Sequence, residues 1–268
     1  MTAEERDSRN TENIMKLFTL FLLVLSSLQV GAFAQTVINL GTADNFALLG
    51  AAGITNVSAH TYIIGDVGSF PTPSITGLTQ SQVNGLLYLE ASPATAQAQT
   101  DLTGAYTQAF NAPCANDLTG KDLGGLTLGP GVYCFSSSAG LTGTLTLDAH
   151  GNTHAQWIFQ IGSTLTTASN STVAIVLGHK PGPLWSTGVL GHRQGPQPLW
   201  SRGLRGCNVY WQVGSSATIG HGTIFRGVIL ALTSITLDGG TLHGKSLASN
   251  GAVTMSARET VNGPPCGN

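Results

Sequence analysis

The sequence predicts a mainly β fold, a right-handed triangular β-solenoid with one long α-helix packed alongside. Three observations carry this. Short strand-like blocks recur with the same columns at a fixed interval, one stretch switches to helical periodicity, and charged residues make up only 9% of the chain.

Set above one another, WIFQIGSTLTT (157 to 167), VYWQVGSSATI (209 to 219), VILALTSITL (228 to 237) and SLASNGAVTM (246 to 255) share three columns. A strand of large apolar residues is followed by a small-residue corner and then by a strand of the form small, small, apolar, Thr. Ala217, Ile235 and Val253 occupy one column at intervals of 18 residues. That period suits a triangular solenoid, whose every coil presents three faces and turns three corners. Upstream, VYCFSSSAGLT (132 to 142) enters the same frame with Leu141 matched to Leu165, and ALLGAAGIT (47 to 55) is an earlier variant. The third strand of each coil is read at Thr172 to Ile175, Thr223 to Phe225 and Thr241 to His243. Glycines at the corners permit tight bends and positive φ. A β-sandwich also has many short strands, but it does not repeat the same columns at a fixed interval.

SPATAQAQTDLTGAYTQAF breaks the β pattern. Ser92 suits an N-cap and Pro93 the first helical position, so a helix is predicted over about 93–110, ending before Pro113. Ala98, Leu102, Ala105, Tyr106 and Ala109 share one side of it at helical spacing. The strands WIFQI, VYWQV and VILAL are apolar on both sides and give this helix a face to cover, which leaves the other two faces in water.

Residues 1–34 are read as a leader and signal peptide. Met15 and Lys16 open the apolar run LFTLFLLVL, and Ala32-Phe33-Ala34 precedes a cleavage point at Gln35. The polar stretch Met1 to Ile14 makes Met15 an alternative start. Residues 35–268 then form the domain, expected to be secreted, extracellular and monomeric. No later segment approaches the roughly 20 apolar residues of a membrane span. A net charge of −2 provides neither a basic groove for nucleic acid nor a cationic patch for an anionic membrane. Four cysteines in an oxidising compartment suggest two disulfides. Of the three possible pairings, Cys114 with Cys134 and Cys207 with Cys266 is favoured. No C-x-x-C pair supports a metal site, and no cofactor is expected. The segment 178–206, with PLWS twice and Arg193, Arg202 and Arg205, lacks the strand pattern and is read as an insertion on the surface.

Successive strand side chains alternate sides. With Leu165, Ala217, Ile235 and Val253 in the core, their neighbours point outward: Thr164 and Thr166, Ser216 and Thr218, Ser234 and Thr236, Ala252 and Thr254. The same alternation turns Gly140 and Thr142 outward in one coil, and Gly53 and Thr55 in the N-terminal one. The result is a flat, charge-free sheet of methyls and hydroxyls, two ranks wide. Stacked coils set ranks about 4.7–4.9 Å apart, and i and i+2 along a strand about 6.6 Å apart. β-Branched Thr has a restricted χ1, so this lattice is stiff. Its best-matched partner is itself periodic, uncharged and rich in hydroxyls, as ice and crystalline polysaccharides are. Thr is also a good strand former without any ligand, but solubility alone would favour charge on an exposed sheet.

GGLTLGPGVYCFSSSAGLTGTLTLDA, WIFQIGSTLTTASNSTV, CNVYWQVGSSATIG and GVILALTSITLDGG resemble the secreted ice-binding (antifreeze) proteins of polar bacteria, fungi and algae. The resemblance runs from about Val37 to Val261, apart from 178–206. It implies a discontinuous solenoid, in which the N-terminal coil near Phe46 to Val67 closes against later coils after the helix. It also implies that one flat face adsorbs to ice, in some members through a Thr-Ala/Gly-x-Thr/Asn pattern. Ser163-Thr164-Leu165-Thr166, Ser215-Ser216-Ala217-Thr218, Thr233-Ser234-Ile235-Thr236 and Gly251-Ala252-Val253-Thr254 approximate it, departing at the first two positions. The implied partner is an ice crystal surface. The alternative reading is an extracellular adhesin or polysaccharide-binding module.

Catalysis is not indicated. Asp148, Asp238, Arg226 and Lys245 are scattered, no paired carboxylates are visible, and no G-x-S-x-G is present. His150 and His154 lie in a loop with no third ligand implied. Asn56-Val57-Ser58 and Asn170-Ser171-Thr172 fit the N-glycosylation pattern, the first beside the outward face.

Overall fold

The computed structural model describes residues 37–178 and 206–266. The leader and most of the predicted insertion lie outside these. The chain winds into stacked coils, and all its strand pairs are parallel. Each described coil contributes one strand to each of three faces, except the one that begins at Asn116, which meets the second face only through a bridge at Asp122.

The first face stacks Asn116–Asp117, Gly131–Phe135, Trp157–Ile161, Val209–Val213, the second halves of Thr223–Ala231 and Gly240–Ala248, then Phe46–Gly50 and Asp66–Ser69. Apart from the half-buried Val132, their apolar residues are buried on both sides. Inward, Tyr133, Phe159 and Trp211 stack in register, with ring centroids 5.5 and 4.0 Å apart. Outward, Ile158, Tyr210, Val228, Leu230 and Leu247 meet Ala98, Leu102, Ala105 and Ala109 of helix α1 (Pro93–Phe110) in a second core cluster. The helix has the predicted bounds. Ser92 caps it by accepting the Thr95 N–H at 3.2 Å, and the Thr95 hydroxyl accepts the Ser92 N–H in return. Its far end is held by Gln160, which donates to the carbonyls of Ala109, Phe110 and Ala112.

The stacking order differs from the chain order. The coil formed by Phe46–Gly50, Ile54–Asn56 and Tyr62–Ile64 pairs on one side with the C-terminal coil, through Leu48↔Ser246, Ile54↔Val253 and Tyr62↔Thr260. On its other side lies the coil from Asp66 to Asn84. From there α1 carries the chain to the opposite end, and the remaining coils stack back until the last meets the first. This is the discontinuity the family resemblance implied.

The joint is fastened by Lys245. Its buried ammonium donates to the carbonyls of Asp44, Gly263 and Pro264 and lies 3.5 Å from the Asp44 carboxylate. The other Asp44 oxygen accepts the Cys266 N–H at 2.7 Å. Cys266 is bonded to Cys207, and Cys114 to Cys134, so the favoured pairing is the one present. At the bend inside the two nine-residue strands, Gly227 (φ +128°) and Gly244 (φ +155°) stack on one another. A Cβ on Gly244 would collide with the Gly227 carbonyl, so only glycine turns this corner.

Candidate functional site

The second face is a seven-stranded parallel sheet of very short strands: Ala139–Leu141, Leu165–Thr167, Ala217–Ile219, Ile235–Leu237, Val253–Met255, Ile54–Asn56 and Ile75–Thr76. Alternation decides what each side sees. Leu165, Ala217, Ile235, Val253 and Ile54 are buried in the core. The residue after each forms one outward rank in continuous register: Gly140, Thr166, Thr218, Thr236, Thr254, Thr55, Thr76. Six threonines thus stand side by side at strand spacing, about 4.8 Å apart.

The residue before each core position forms the neighbouring rank, which behaves differently. Its hydroxyls are spent inside the protein. Thr164 donates to Ser138 at 2.8 Å, Ser216 shares a hydrogen bond with Thr233 at 2.7 Å, and Ser234 accepts the Ala252 N–H at 3.3 Å. Among the described residues, the hydroxyls of Thr166, Thr218, Thr236 and Thr254 make no such bond, whereas Thr76 donates to Thr55 at 3.3 Å. The neighbouring rank therefore stiffens the sheet, and the threonine rank presents its hydroxyls to water.

Most of the expected outward residues take their places on these ranks, and two do not. Gly53 is buried, because Ser74 of the next coil lies over it. Thr142 is exposed but stands beyond the strand end, where its hydroxyl donates to Asp122 at 3.0 Å. The correction comes from the register: Leu165 pairs with Ala139, not with Leu141, so Gly140 holds the place on the threonine rank. A slip of two residues keeps every side chain on its own side, and alternation alone cannot detect it. Thr76 lies outside the columns read from the sequence, although its triplet Ser74-Ile75-Thr76 repeats Ser234-Ile235-Thr236; Pro71 and Pro73 just before it interrupt the strand pattern.

No charged residue occupies an outward position in these strands. The nearest charges sit at their ends. Asp238, in the corner, accepts the Ser256 hydroxyl at 2.7 Å. Asp122 bridges to Gly140 and accepts the N–H groups of Thr142 and Gly124 at 2.9 and 2.7 Å. Partial burial disfavours the Asp122 carboxylate, but these hydrogen bonds outweigh burial and hold its pKa below the ordinary value. The other polar groups considered for chemistry have structural partners: Arg226 donates to the Val173 carbonyl at 2.7 Å, and His150 lies 3.4 Å from Asp148. The sequon residue Asn56 is buried, and its side chain bonds Ser58, Thr61 and Gly77, so it is closed to a glycan in the folded protein.

Residues 48–261 match the family described as Ice-binding-like. The chain belongs to this family. A relative from Nostoc sp. (strain HG1), named an ice-binding protein, is 44% identical over 91% of this chain and 81% of its own length. One of the same name from Leucosporidium sp. (strain AY30) is 31% identical over 94% and 93%. The crystal structure of an ice-binding protein from an Antarctic biological consortium superposes with a TM-score of 0.69 at 37% identity, covering 84% of this chain and 90% of that one. Within the family frame, the flat sheet described above is the candidate binding surface.

Proposed function

We propose that the protein binds ice and restrains its growth and recrystallisation through the threonine face. The observation that carries this is the single rank Thr166, Thr218, Thr236, Thr254, Thr55 and Thr76, with Thr164, Ser216, Ser234 and Ala252 beside it. Each threonine presents a methyl and a hydroxyl on a backbone fixed by parallel pairing, so little entropy is lost when water orders against it. Many weak contacts on one rigid plane act as a linked set, which makes adsorption persistent without any strong individual bond. No covalent step is involved, and no residue acts as a catalyst. The adhesin reading gains nothing from the relatives named above, all of them described as ice-binding.

Secretion fits the leader reading and the two disulfides. In this proposal residues 1–34 are removed and 35–268 work as one domain.

The test is Thr218→Tyr. A ring standing up from the middle of the rank should abolish most thermal hysteresis while the melting temperature stays put, because Thr218 is exposed and has no partner to lose. Full hysteresis in the variant would refute the face. Pull-downs on ice, cellulose and chitin separate ice adsorption from polysaccharide binding.

A further inference from the structure

We infer that Asp122 and Gly140 terminate the adsorbing lattice and so set how far ordered water can extend across the face. This rests on the threonine face being the ice-contacting surface. The two ends of the rank are unlike. At one end Thr76 is followed by Gly77 to Gln82, a segment without charge. At the other, Gly140 pairs with Thr166, and Asp122 bridges to Gly140 in the same parallel sense, taking the place where the next threonine would stand.

The carboxylate is held over that place. It accepts the Gly124 N–H at 2.7 Å, the Thr142 N–H at 2.9 Å and the Thr142 hydroxyl at 3.0 Å. A Cβ built on Gly140 would come within 3.1 Å of its Oδ2. An ionised carboxylate turns the hydrogens of surrounding water toward itself and gives that water up only at high cost. A lattice of methyls and hydroxyls orders water in another pattern, so the two cannot share one ice-like layer. Gly140 adds a gap in the rank just before the charge.

Both features can be reversed by substitution. Gly140 is absent from the positive-φ glycines, and the nearest obstacle to a side chain there is only the tip of Asp122. Asp122→Asn keeps an oxygen that can accept the Gly124 and Thr142 N–H groups while removing the charge.

The experiment measures thermal hysteresis and melting temperature for the full chain, for Asp122→Asn, for Asp122→Asn with Gly140→Thr, and for Thr218→Tyr. The single variant is expected to exceed wild type, and the double variant to reach about 1.5-fold of it as a further contact joins the linked set. If neither exceeds wild type while Thr218→Tyr abolishes hysteresis, the face stands and the terminator is overturned. If Thr218→Tyr keeps full hysteresis, the face reading falls and this inference falls with it. Should the double variant lose its melting transition, Asp122→Asn alone decides.

Discussion

The threonine face and the third face are made by the same coils, with the same parallel stacking and the same alternation, yet only one is a uniform plane. On the third face the outward rank reads Thr144, Thr172, Ile224, Thr241, Thr260, Tyr62. Threonine is nearly as frequent there. Ile224 and Tyr62 rise out of it, 41% and 44% exposed, and the adjoining rank pairs Arg226 with His243. Burial, reinforced by the Arg226 charge, pushes the His243 pKa down. Threonine content is therefore a poor criterion for such a surface. Equal height and neutrality across consecutive coils are what set the two sheets apart.

The largest effect should come from placing one bulky residue on each face in turn. Thr218→Tyr should remove most thermal hysteresis, whereas Thr241→Tyr, on a surface already interrupted by Tyr62, should leave it unchanged. Equal losses from both would erase the distinction.

The next effect should be shared by both faces. Cys207–Cys266 spans 59 residues and fastens the C-terminal end of the chain to the start of an inner coil. Replacing both cysteines with Ser frees that loop in the unfolded chain and should cost roughly 2–4 kcal/mol, read by denaturant titration. Hysteresis measured well below the melting temperature should fall little, because the ranks are aligned by backbone pairing and not by this bond.

A smaller, pH-dependent effect lies at the corner between the two faces. Glu259 is buried, and burial, with help from the Asp238 charge and against a hydrogen bond from the Gly239 N–H, pushes its pKa up to about 7. The folded state thus holds a proton that the unfolded chain releases near pH 4.3. Its stabilisation is complete below that value and is lost as pH rises through about 7, amounting to about 2–3 kcal/mol between pH 5 and pH 8. Glu259→Gln should flatten that slope in thermal melts without altering hysteresis.

These differences were unevenly legible in the sequence. The columns at Ala217, Ile235 and Val253 gave the coil and its core correctly, because a constant spacing fixes which residues stack. The helix was legible from Ser92, Pro93 and the apolar spacing behind them. Thr55 could be placed outward, but its position beside Thr254 depends on a closure across nearly the whole chain, for which only the family resemblance spoke. Two failures were local. The irregular interval before Leu165 hid the two-residue register at Ala139, and Ser74 covers Gly53 through a coil whose prolines masked it. The free hydroxyls of one rank and the spent hydroxyls of the other follow from three-dimensional neighbours at the corners, such as Thr233 and Ser138, that no strand pattern describes.

The smallest effect would sharpen the comparison from within the threonine face itself. Thr236 has threonines on both sides, Thr218 and Thr254, whereas Thr76 has only Thr55 beside it and lies on the outermost strand of the sheet, two residues long. Removing a hydroxyl and a methyl from the middle divides the lattice into two shorter pieces, while removing them from the end merely shortens it. Thr236→Ala should therefore lower hysteresis more than Thr76→Ala, although the side chains deleted are identical. Thr76→Ala also frees Thr55 from the one hydroxyl bond within the rank, which offsets part of its own loss. Equal effects at the two positions would mean that the threonines act independently, and the continuity of the rank, on which the difference between the faces depends, would no longer explain anything.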